Sequence, residues 1–360
     1  MARVLVIGAG IHGVTTAIAF AKKGYDVSVV EKNETILCGT SRATHNRAHL
    51  GYHYPRSLET AIECIEGLQY FKTKYPGALY YPDESYYFIE KYQSKTQTEE
   101  YIKFCQEIGI PFKMVWPDKS IIDPKNIDSS FLVREPNFNL FALKQALLAE
   151  SESLGIKYYF NSQVVSGVKG NSGIFDVETN REIVFQADVV INATYAYINN
   201  ILKSFNVNEK ELTKYRLQTT EVVVAEIETP LPALTVMDGP FITIQPYVGC
   251  KNTVLIYDVV HSVLSETEGY TFGETPSLVS NYDKMIKHGL KYYPFMRSLK
   301  FLKSLRGTRP IPVAEPNSGR ITKIVDYPSI TGLYSIKEGK FISAPLMADA
   351  LVEKVTGESC

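Results

Sequence analysis

The sequence has few cysteines, almost no net charge and no long apolar run. Its five cysteines show neither a C-x-x-C pair nor metal-ligand spacing, which argues against a disulfide framework and predicts a reducing, cytoplasmic location. The formal net charge of −1 gives no electrostatic reason to expect nucleic acid as a partner. No apolar run is long enough to cross a bilayer, so no integral membrane segment is expected. What remains is a chain of 360 residues whose length and composition predict two globular domains.

The most specific local motif lies near the start of the sequence. An apolar run at residues 4–7 leads into Gly8, Gly10 and Gly13, spaced as G-x-G-x-x-G, and a helix and a second strand follow up to Glu31. In this motif glycines allow a tight turn, a close approach of the backbone to a pyrophosphate, and close packing of helix and strand. The free N–H groups of the helix N-terminus favour phosphates, and Glu31 can accept hydrogen bonds from an adenosine ribose. The motif predicts a bound dinucleotide and leaves open whether it is FAD or NAD.

The rest of the chain alternates between two kinds of pattern. Helices are predicted over residues 58–74, 140–155 and 344–355, whereas residues 219–228 and 254–260 alternate in polarity and predict an antiparallel sheet. The expected fold is α/β with an α+β second domain, in which a Rossmann-like FAD-binding domain is interleaved with an antiparallel-sheet substrate-binding domain. The predicted ranges are 1–79, 137–215 and 301–360 for the first domain, and 80–136 and 216–300 for the second. Such interleaving is unusual in NAD dehydrogenases and favours FAD.

Three groups of motifs, near the start, middle and end of the chain, occur in the order typical of one family. The first is the glycine turn followed by the segment 39–52, and the second combines residues 161–168 with residues 191–195. The third combines Gly307-Thr308-Arg309-Pro310 with residues 339–345. Together they resemble the D-amino-acid-oxidase-like (DAO) family of FAD-dependent oxidoreductases. This family includes glycine oxidase, sarcosine oxidase and flavin-linked glycerol-3-phosphate dehydrogenase.

The resemblance implies a bound FAD and assigns its contacts residue by residue. In the family, Val165 would pair with adenine through its backbone, and the segment from Ser41 would cross the pyrophosphate and pass the flavin ring. Arg47 and Tyr195 stand where the family usually has small residues. The implied FAD contacts are Gly8, Gly10, Ile11, His12, Gly13, Glu31, Lys32, Ser41, Arg42, His45, Asn46, Ala48, His49, Leu50, Val165, Ala193, Thr194, Arg309, Gly339, Lys340, Phe341 and Ile342.

Two cationic residues in the third motif are candidates for the chemistry. Arg309 is the leading candidate for anchoring a substrate carboxylate, because a guanidinium can hold both oxygens, and Arg306 is a second candidate. The alternative for Arg309 is a structural salt bridge. Lys340 and the backbone amides around it can stabilise the negative charge of a reduced flavin. The alternative for Lys340 is a solvated surface lysine.

His45, His49 and His53 are crowded into one segment and predict a polar wall of the active site. A metal site is disfavoured there, because the segment is irregular and has no nearby acid. A covalent link of His45 or His49 to the flavin is a further alternative. Tyr52 and His53 are predicted to line the substrate side of the pocket, and Tyr247 and Tyr257 can supply hydroxyl groups to it.

The sequence therefore predicts an FAD-dependent oxidase or dehydrogenase. The expected reaction is oxidation of a C–N or C–O bond of a small polar, carboxylate-bearing substrate, with hydride transfer to flavin N5. O₂ or another acceptor would reoxidise the flavin. The alternatives are an NAD-linked dehydrogenase and a flavin-binding protein without turnover.

Overall fold

The computed structural model describes residues 1–273, 278–314, 321–337 and 339–358. Its helices are α1 (Ile11–Lys22), α2 (Leu58–Lys74), α3 (Thr98–Glu107), α4 (Leu140–Ser153), α5 (Ile198–Ser204), α6 (Tyr282–Gly289) and α7 (Ala344–Thr356). Its strands are β1 (Arg3–Ile7), β2 (Asp26–Val30), β3 (Leu79–Tyr80), β4 (Ser85–Glu90), β5 (Phe112–Met114), β6 (Ile127–Val133), β7 (Asn137–Phe138), β8 (Lys157–Tyr159), β9 (Val164–Lys169), β10 (Phe175–Thr179), β11 (Val184–Ala187), β12 (Val189–Asn192), β13 (Tyr215–Glu226), β14 (Ala233–Met237), β15 (Ile242–Pro246), β16 (Thr253–Asp258), β17 (Val263–Gly269), β18 (Lys300–Pro312), β19 (Lys323–Asp326) and β20 (Leu333–Lys337).

A six-stranded sheet in the order β19-β20-β12-β1-β2-β8 forms the first structural layer. Its pairs are parallel except for β19 with β20, which adds an antiparallel edge. Both faces of β1 are buried, one against α1 and α7 and the other against α5 and the small β9–β11 sheet. Burial on both faces explains the continuous apolar run that predicted this strand.

A second, nine-stranded sheet runs in the order β17-β13-β16-β15-β14-β4-β6-β5, with β18 also paired to β13. Its pairs are antiparallel except for β4 and β14, which run parallel. Strands β4 and β14 come from separate excursions of the chain, so no hairpin constrains their relative direction. The ranges 219–228 and 254–260, which predicted an antiparallel sheet, fall largely on β13 and β16, and these two strands pair antiparallel.

The chain passes back and forth between the two sheets. The six-stranded sheet takes its strands from residues 3–30, 157–192 and 323–337, and the nine-stranded sheet takes its strands from residues 85–133 and 215–312. This arrangement confirms the predicted fold class. The domain boundaries stay a prediction. Residues 301–312 of β18 pair within the large sheet, whereas the sequence places them in the FAD-binding domain.

The predicted helices agree closely with the structure. Helix α2 has the predicted ends, and α4 stops just before Gly155, whose φ of +69° suits a glycine after a helix C-terminus. Among the described residues, no helix has both the length and the apolar character that crossing a membrane requires.

Gly13 gives a direct test of the packing between α1 and β1. A Cβ atom at this position would lie 1.9 Å from the carbonyl oxygen of Gly8, which is a backbone atom that cannot rotate away. We expect Gly13→Ala to lower the free energy of unfolding by about 3 kcal/mol, measured by urea denaturation. Gly77→Ala is the control, because no atom lies within 4 Å of its added Cβ. Equal stability of the two variants would contradict this packing.

Candidate active site

Three parallel strands end at one edge of the six-stranded sheet, and the predicted site residues follow directly after them. Gly8 follows β1, Glu31 follows β2 and Ala193 follows β12. Gly8 has a φ of +101°, and a Cβ there would lie 2.7 Å from the carbonyl oxygen of Ala193. Because the backbones approach so closely, a side chain at this turn would not fit. This edge is where open parallel sheets bind their ligands.

The segment after β2 crosses the N-terminus of α1. Ser41 Oγ accepts a hydrogen bond from the N–H of Ile11 at 3.0 Å. Gly10 is the N-cap residue, and a Cβ on it would lie 3.3 Å from the same Ser41 oxygen. The start of this helix thus presents backbone N–H groups, with their partial positive charge, beside a hydroxyl group.

Glu31 is buried and its carboxylate is already hydrogen-bonded within the protein. It accepts the N–H of Ala9 at 2.7 Å and the N–H of Asn33 at 2.8 Å. These bonds fix the carboxylate beside the glycine turn. The neighbouring Lys32 places its Nζ 3.5 Å from the ring centre of Tyr197.

A cavity of about 1180 Å³ runs along this edge and continues towards the nine-stranded sheet. Its size exceeds that of an ordinary small-molecule pocket and suits a large cofactor together with a substrate. The predicted residues that line it are Gly8, Gly10, Ile11, His12, Glu31, Lys32, Ser41, His45, His49, His53, Val165, Ala193, Thr194, Tyr257, Arg309, Gly339, Lys340 and Phe341.

The other predicted positions lie outside this lining. Among the described residues these are Gly13, Arg42, Asn46, Ala48, Leu50, Tyr52, Tyr247 and Ile342.

The structure does not support a place for Tyr52 or Tyr247 in the pocket. Tyr52 is fully buried in an apolar cluster, and its hydroxyl donates to the carbonyl oxygen of Pro111. Tyr247 is also buried and packs in an apolar cluster with a ring contact to Phe141. Both tyrosines are used for packing, which their sequence position alone does not reveal.

Tyr195 stands where the family usually has glycine, and its backbone conformation is one that favours glycine. Its φ is +56°, in the left-handed region that glycine adopts without cost. The turn after β12 therefore keeps the backbone shape that favours glycine, although the residue there is bulky. Tyr195 also lines the cavity, beside Ala193 and Thr194.

Three histidines, His45, His49 and His53, lie close together at the cavity wall. The ring centres of His45 and His49 are 5.7 Å apart, and those of His49 and His53 are 5.6 Å apart. Burial, with a further contribution from the charge of Arg47, lowers the pKa of both His45 and His53 well below the usual value. His45 and His53 are therefore neutral at pH 7. Among the described residues, the one group of three possible metal ligands lies elsewhere and consists of Asp258, His261 and His288.

Arg47 occupies a buried polar site that sequence reasoning missed. Its Nε lies 3.3 Å from Glu135 Oε2, and its Nη2 donates to the hydroxyls of Thr235 and Thr243. Burial raises the pKa of Glu135, while the charge of Arg47 and a hydrogen bond from Tyr87 act in the opposite direction. The sequence does show that Arg47 is a large cation where the family usually has a small residue. It does not show which residues pair with Arg47, because they are distant in sequence.

Lys340 is not a solvated surface lysine, because only 5% of it is exposed. Its Nζ lies 4.3 Å from the ring centre of Tyr54, and its carbonyl oxygen accepts a hydrogen bond from His12 Nε2 at 3.1 Å. The N–H groups of Gly339 and Lys340 both donate to the hydroxyl of Thr322. The segment before α7 is thus held firmly against the cavity.

Arg309 is half-buried on β18, and among the described residues its side chain makes a hydrogen bond and no salt bridge. Its Nε donates to Gln218 Oε1 at 2.9 Å, across the register that pairs Gln218 with Arg309. Arg306 also reaches the cavity, but it is exposed and donates to the carbonyl oxygen of Leu278. Arg309 is therefore oriented by a neutral partner and keeps its full charge for an anion.

The residues present fit an FAD molecule. Only 3% of His12 is exposed, and this residue lines the cavity. Because its Nε2–H donates to a carbonyl, its Nδ1 is an acceptor, and that atom has no partner among the described residues. An orphaned buried acceptor calls for a hydroxyl donor, which the ribityl chain of FAD would supply.

Comparison with known proteins agrees with this geometry. The profile of the DAO family, described as FAD dependent oxidoreductase, matches residues 3–354. The chain belongs to this family. Because this is a family of FAD-dependent oxidoreductases, the NAD-linked alternative is set aside.

Proteins similar to this DAO-family chain are named for several different activities. It is 28% identical over 267 residues to the FAD-dependent monooxygenase kojA of Aspergillus flavus, covering 68% of the chain and 58% of that protein. The chain thus spans less than two thirds of that relative. Its fold is similar to glycine oxidase from Geobacillus kaustophilus, with a TM-score of 0.78, 18% identity, and coverage of 100% of this chain and 96% of that one. L-alpha-glycerophosphate oxidase from Mycoplasma pneumoniae, with FAD bound, gives a TM-score of 0.78 at 17% identity, covering 98% and 94%.

The buried state of His12 makes a prediction about acid stability. Burial lowers the pKa of His12 from 6.5 to about 4. Below pH 6.5 the unfolded chain binds a proton on this ring that the folded chain does not bind, so stability falls as the pH falls towards 4. For this one group the loss approaches roughly 3 kcal/mol. We expect His12→Val to remove that part of the pH dependence, measured by urea unfolding of the apoprotein at about pH 7 and about pH 4.5. An unchanged pH dependence would contradict the assignment.

Proposed function

We propose that this enzyme oxidises a C–N or C–O bond of a small polar, carboxylate-bearing substrate such as an amino acid, an amine or a 2-hydroxy acid. The observation that carries the proposal is the charge of the cavity lining. Arg306, Arg309 and Lys340 line the same cavity as the glycine turn, whereas the charge of Arg47, which also lines it, is met by Glu135. The acidic group among its described lining residues is Glu31, whose oxygens already accept backbone N–H groups. The cavity therefore favours an anionic substrate.

The proposed cofactor contacts follow the direction of the cavity. Gly8, Gly10 and the N-terminus of α1 would hold the pyrophosphate, and Glu31 and Val165 would face the AMP half. The segments around His49 and Lys340 would enclose the flavin. Bound FAD supplies the hydride acceptor at N5, and O₂ or another acceptor takes the electrons onward. We propose the cytoplasm as the location, from the cysteine pattern of the sequence.

The protein's own residues then have separate roles. Arg309 would hold the substrate carboxylate, because its Nη groups can donate to both oxygens while Gln218 fixes the Nε. Lys340 would place a positive charge beside the flavin, which favours its reduced form. Tyr257 and His53, which also line the cavity, would donate to polar groups of the substrate.

The names of the two solved neighbours agree with an anionic substrate. Glycine oxidase and L-alpha-glycerophosphate oxidase are named after small molecules that carry a carboxylate and a phosphate, respectively. Both kinds of molecule would meet the cationic residues of the cavity. The substrate panel below therefore includes both chemistries.

Anaerobic reduction of the flavin tests the proposed function. Purified, FAD-loaded protein is mixed without oxygen with glycine, D- and L-alanine, D- and L-lactate, or glycerol 3-phosphate. We expect one class of compound to bleach the flavin absorbance, because the hydride passes to N5. A denaturing gel of the same sample reports whether the flavin stays attached to the chain. If the protein binds FAD and no carboxylate compound of the panel bleaches it, the proposed substrate class is wrong, and bleaching by glycerol 3-phosphate alone would contradict the carboxylate in the same way.

Arg309→Ala tests the proposed carboxylate anchor. We expect KM for the bleaching substrate to rise about 10- to 100-fold, because a charged hydrogen-bonded pair is lost, while bound FAD is retained. Steady-state kinetics and flavin absorbance measure the two effects. Arg297→Ala is the matched control, since Arg297 is exposed and outside the cavity lining. Loss of FAD from Arg309→Ala would show instead that this arginine has a structural role.

A further inference from the structure

The guanidinium of Arg47 is fixed on several sides. Glu135 binds its Nε, and Thr235 on β14 and Thr243 on β15 bind its Nη2. The two threonines also hydrogen-bond each other at 3.0 Å, so they cannot easily turn away. Only 3% of Arg47 is exposed. Its remaining donor group, Nη1, therefore points in one direction set by two sheet strands.

The group that receives this donor is His53. Arg47 Nη1 lies 3.3 Å from His53 Nδ1. An arginine side chain has only N–H donors and stays protonated in proteins, so His53 Nδ1 must be the acceptor. A ring nitrogen that accepts a hydrogen bond carries no proton. The proton of the neutral ring is then on Nε2.

The other nitrogen of His53 is left for the cavity. His53 lines the cavity, and among the described residues its ring makes a hydrogen bond through Nδ1 and none through Nε2. The ring stacks on His49 at 5.6 Å and touches Tyr54 at 5.4 Å and Tyr87 at 6.3 Å, all measured between ring centres. These contacts restrict ring rotation that would exchange the two nitrogens.

The charged groups around His53 also oppose a second proton. The positive charges of Arg47 and Lys340 disfavour the charged form of the ring, and a proton on His45 or His49 would act in the same direction. Burial acts in the same direction and lowers the pKa of His53. The carboxylate of Glu135 is paired with Arg47 and with the hydroxyl of Tyr87.

We propose that Arg47 is a positioning residue that holds His53 as the neutral Nε2–H tautomer, and that this N–H donates to an oxygen of the substrate. In this role His53 is a hydrogen-bond donor and not a proton acceptor. The first half of the inference concerns the protein alone, whereas the second half rests on the proposed function. Arg47, which stands where the family usually has a small residue, would therefore have a specific positioning role.

Nuclear magnetic resonance of FAD-loaded protein labelled with ¹⁵N-histidine tests the first half. The His53 signals are assigned by their absence in His53→Gln. We expect long-range ¹H–¹⁵N correlations to show a protonated Nε2 and an unprotonated Nδ1, unchanged between about pH 6 and about pH 8. A proton on Nδ1, or a ring that titrates in this range, would overturn the proposal.

Two variants test whether Arg47 is the cause. Arg47→Met combined with Glu135→Gln removes both charges together, and Arg47→Lys keeps a positive charge without the planar guanidinium. In either folded variant we expect the His53 signals to move towards an average of the two tautomers. His12 is the internal control, because its Nε2 bonds the Lys340 carbonyl and should keep its tautomer. An unchanged His53 tautomer in a folded variant would overturn the positioning role.

Kinetics with the panel compound that bleaches the flavin test the second half. His53→Gln keeps an N–H donor and should change KM by less than about threefold, whereas His53→Met should raise it about tenfold. Equal KM values for the two variants would show that His53 does not donate a hydrogen bond to the substrate. If no panel compound bleaches the flavin, the proposed function fails while the tautomer result stands by itself.

Discussion

The close approach of backbones at the carboxyl edge of the six-stranded sheet is the constraint on which the site depends. Gly8 and Gly13 leave no room for a Cβ, because carbonyl oxygens of Ala193 and Gly8 occupy that space. This contact fixes the start of α1 relative to β1 and β12. The helix N-terminus, the acid after β2 and the turn after β12 then meet at a single edge. Every proposed cofactor contact begins from that arrangement.

A second, electrostatic constraint joins this edge to the large sheet. Arg47 follows the segment that crosses α1, and its charge is met by Glu135 after β6 and by hydroxyls on β14 and β15. A buried ion pair adds little net stability, since desolvation offsets the attraction, but it specifies orientation. Together with burial, the charge of Arg47 lowers the pKa of His45 and His53, which line the same cavity as Arg309.

Local sequence patterns were sufficient for elements whose signals repeat along the chain. The apolar run of β1, the glycine spacing and the amphipathic period of α2 predicted the fold class and one end of the cavity. Contacts between distant segments carried no such signal. The pairing of β4 with β14, the partner of Arg47 and the packing roles of Tyr52 and Tyr247 all depend on tertiary neighbours. With 24 tyrosines in the chain, residue type alone could not separate lining from core.

The central claim is that one cavity holds the AMP half of FAD at Glu31 and the flavin between the His49 and Lys340 segments. A crystal structure of the FAD-loaded protein tests it most directly. The account predicts the pyrophosphate at the N-terminus of α1, a cofactor hydroxyl at His12 Nδ1, and the flavin ring beside His53 with Arg309 facing its substrate side. A flavin ring bound outside this cavity, or an adenine at the Arg309 end, would contradict it.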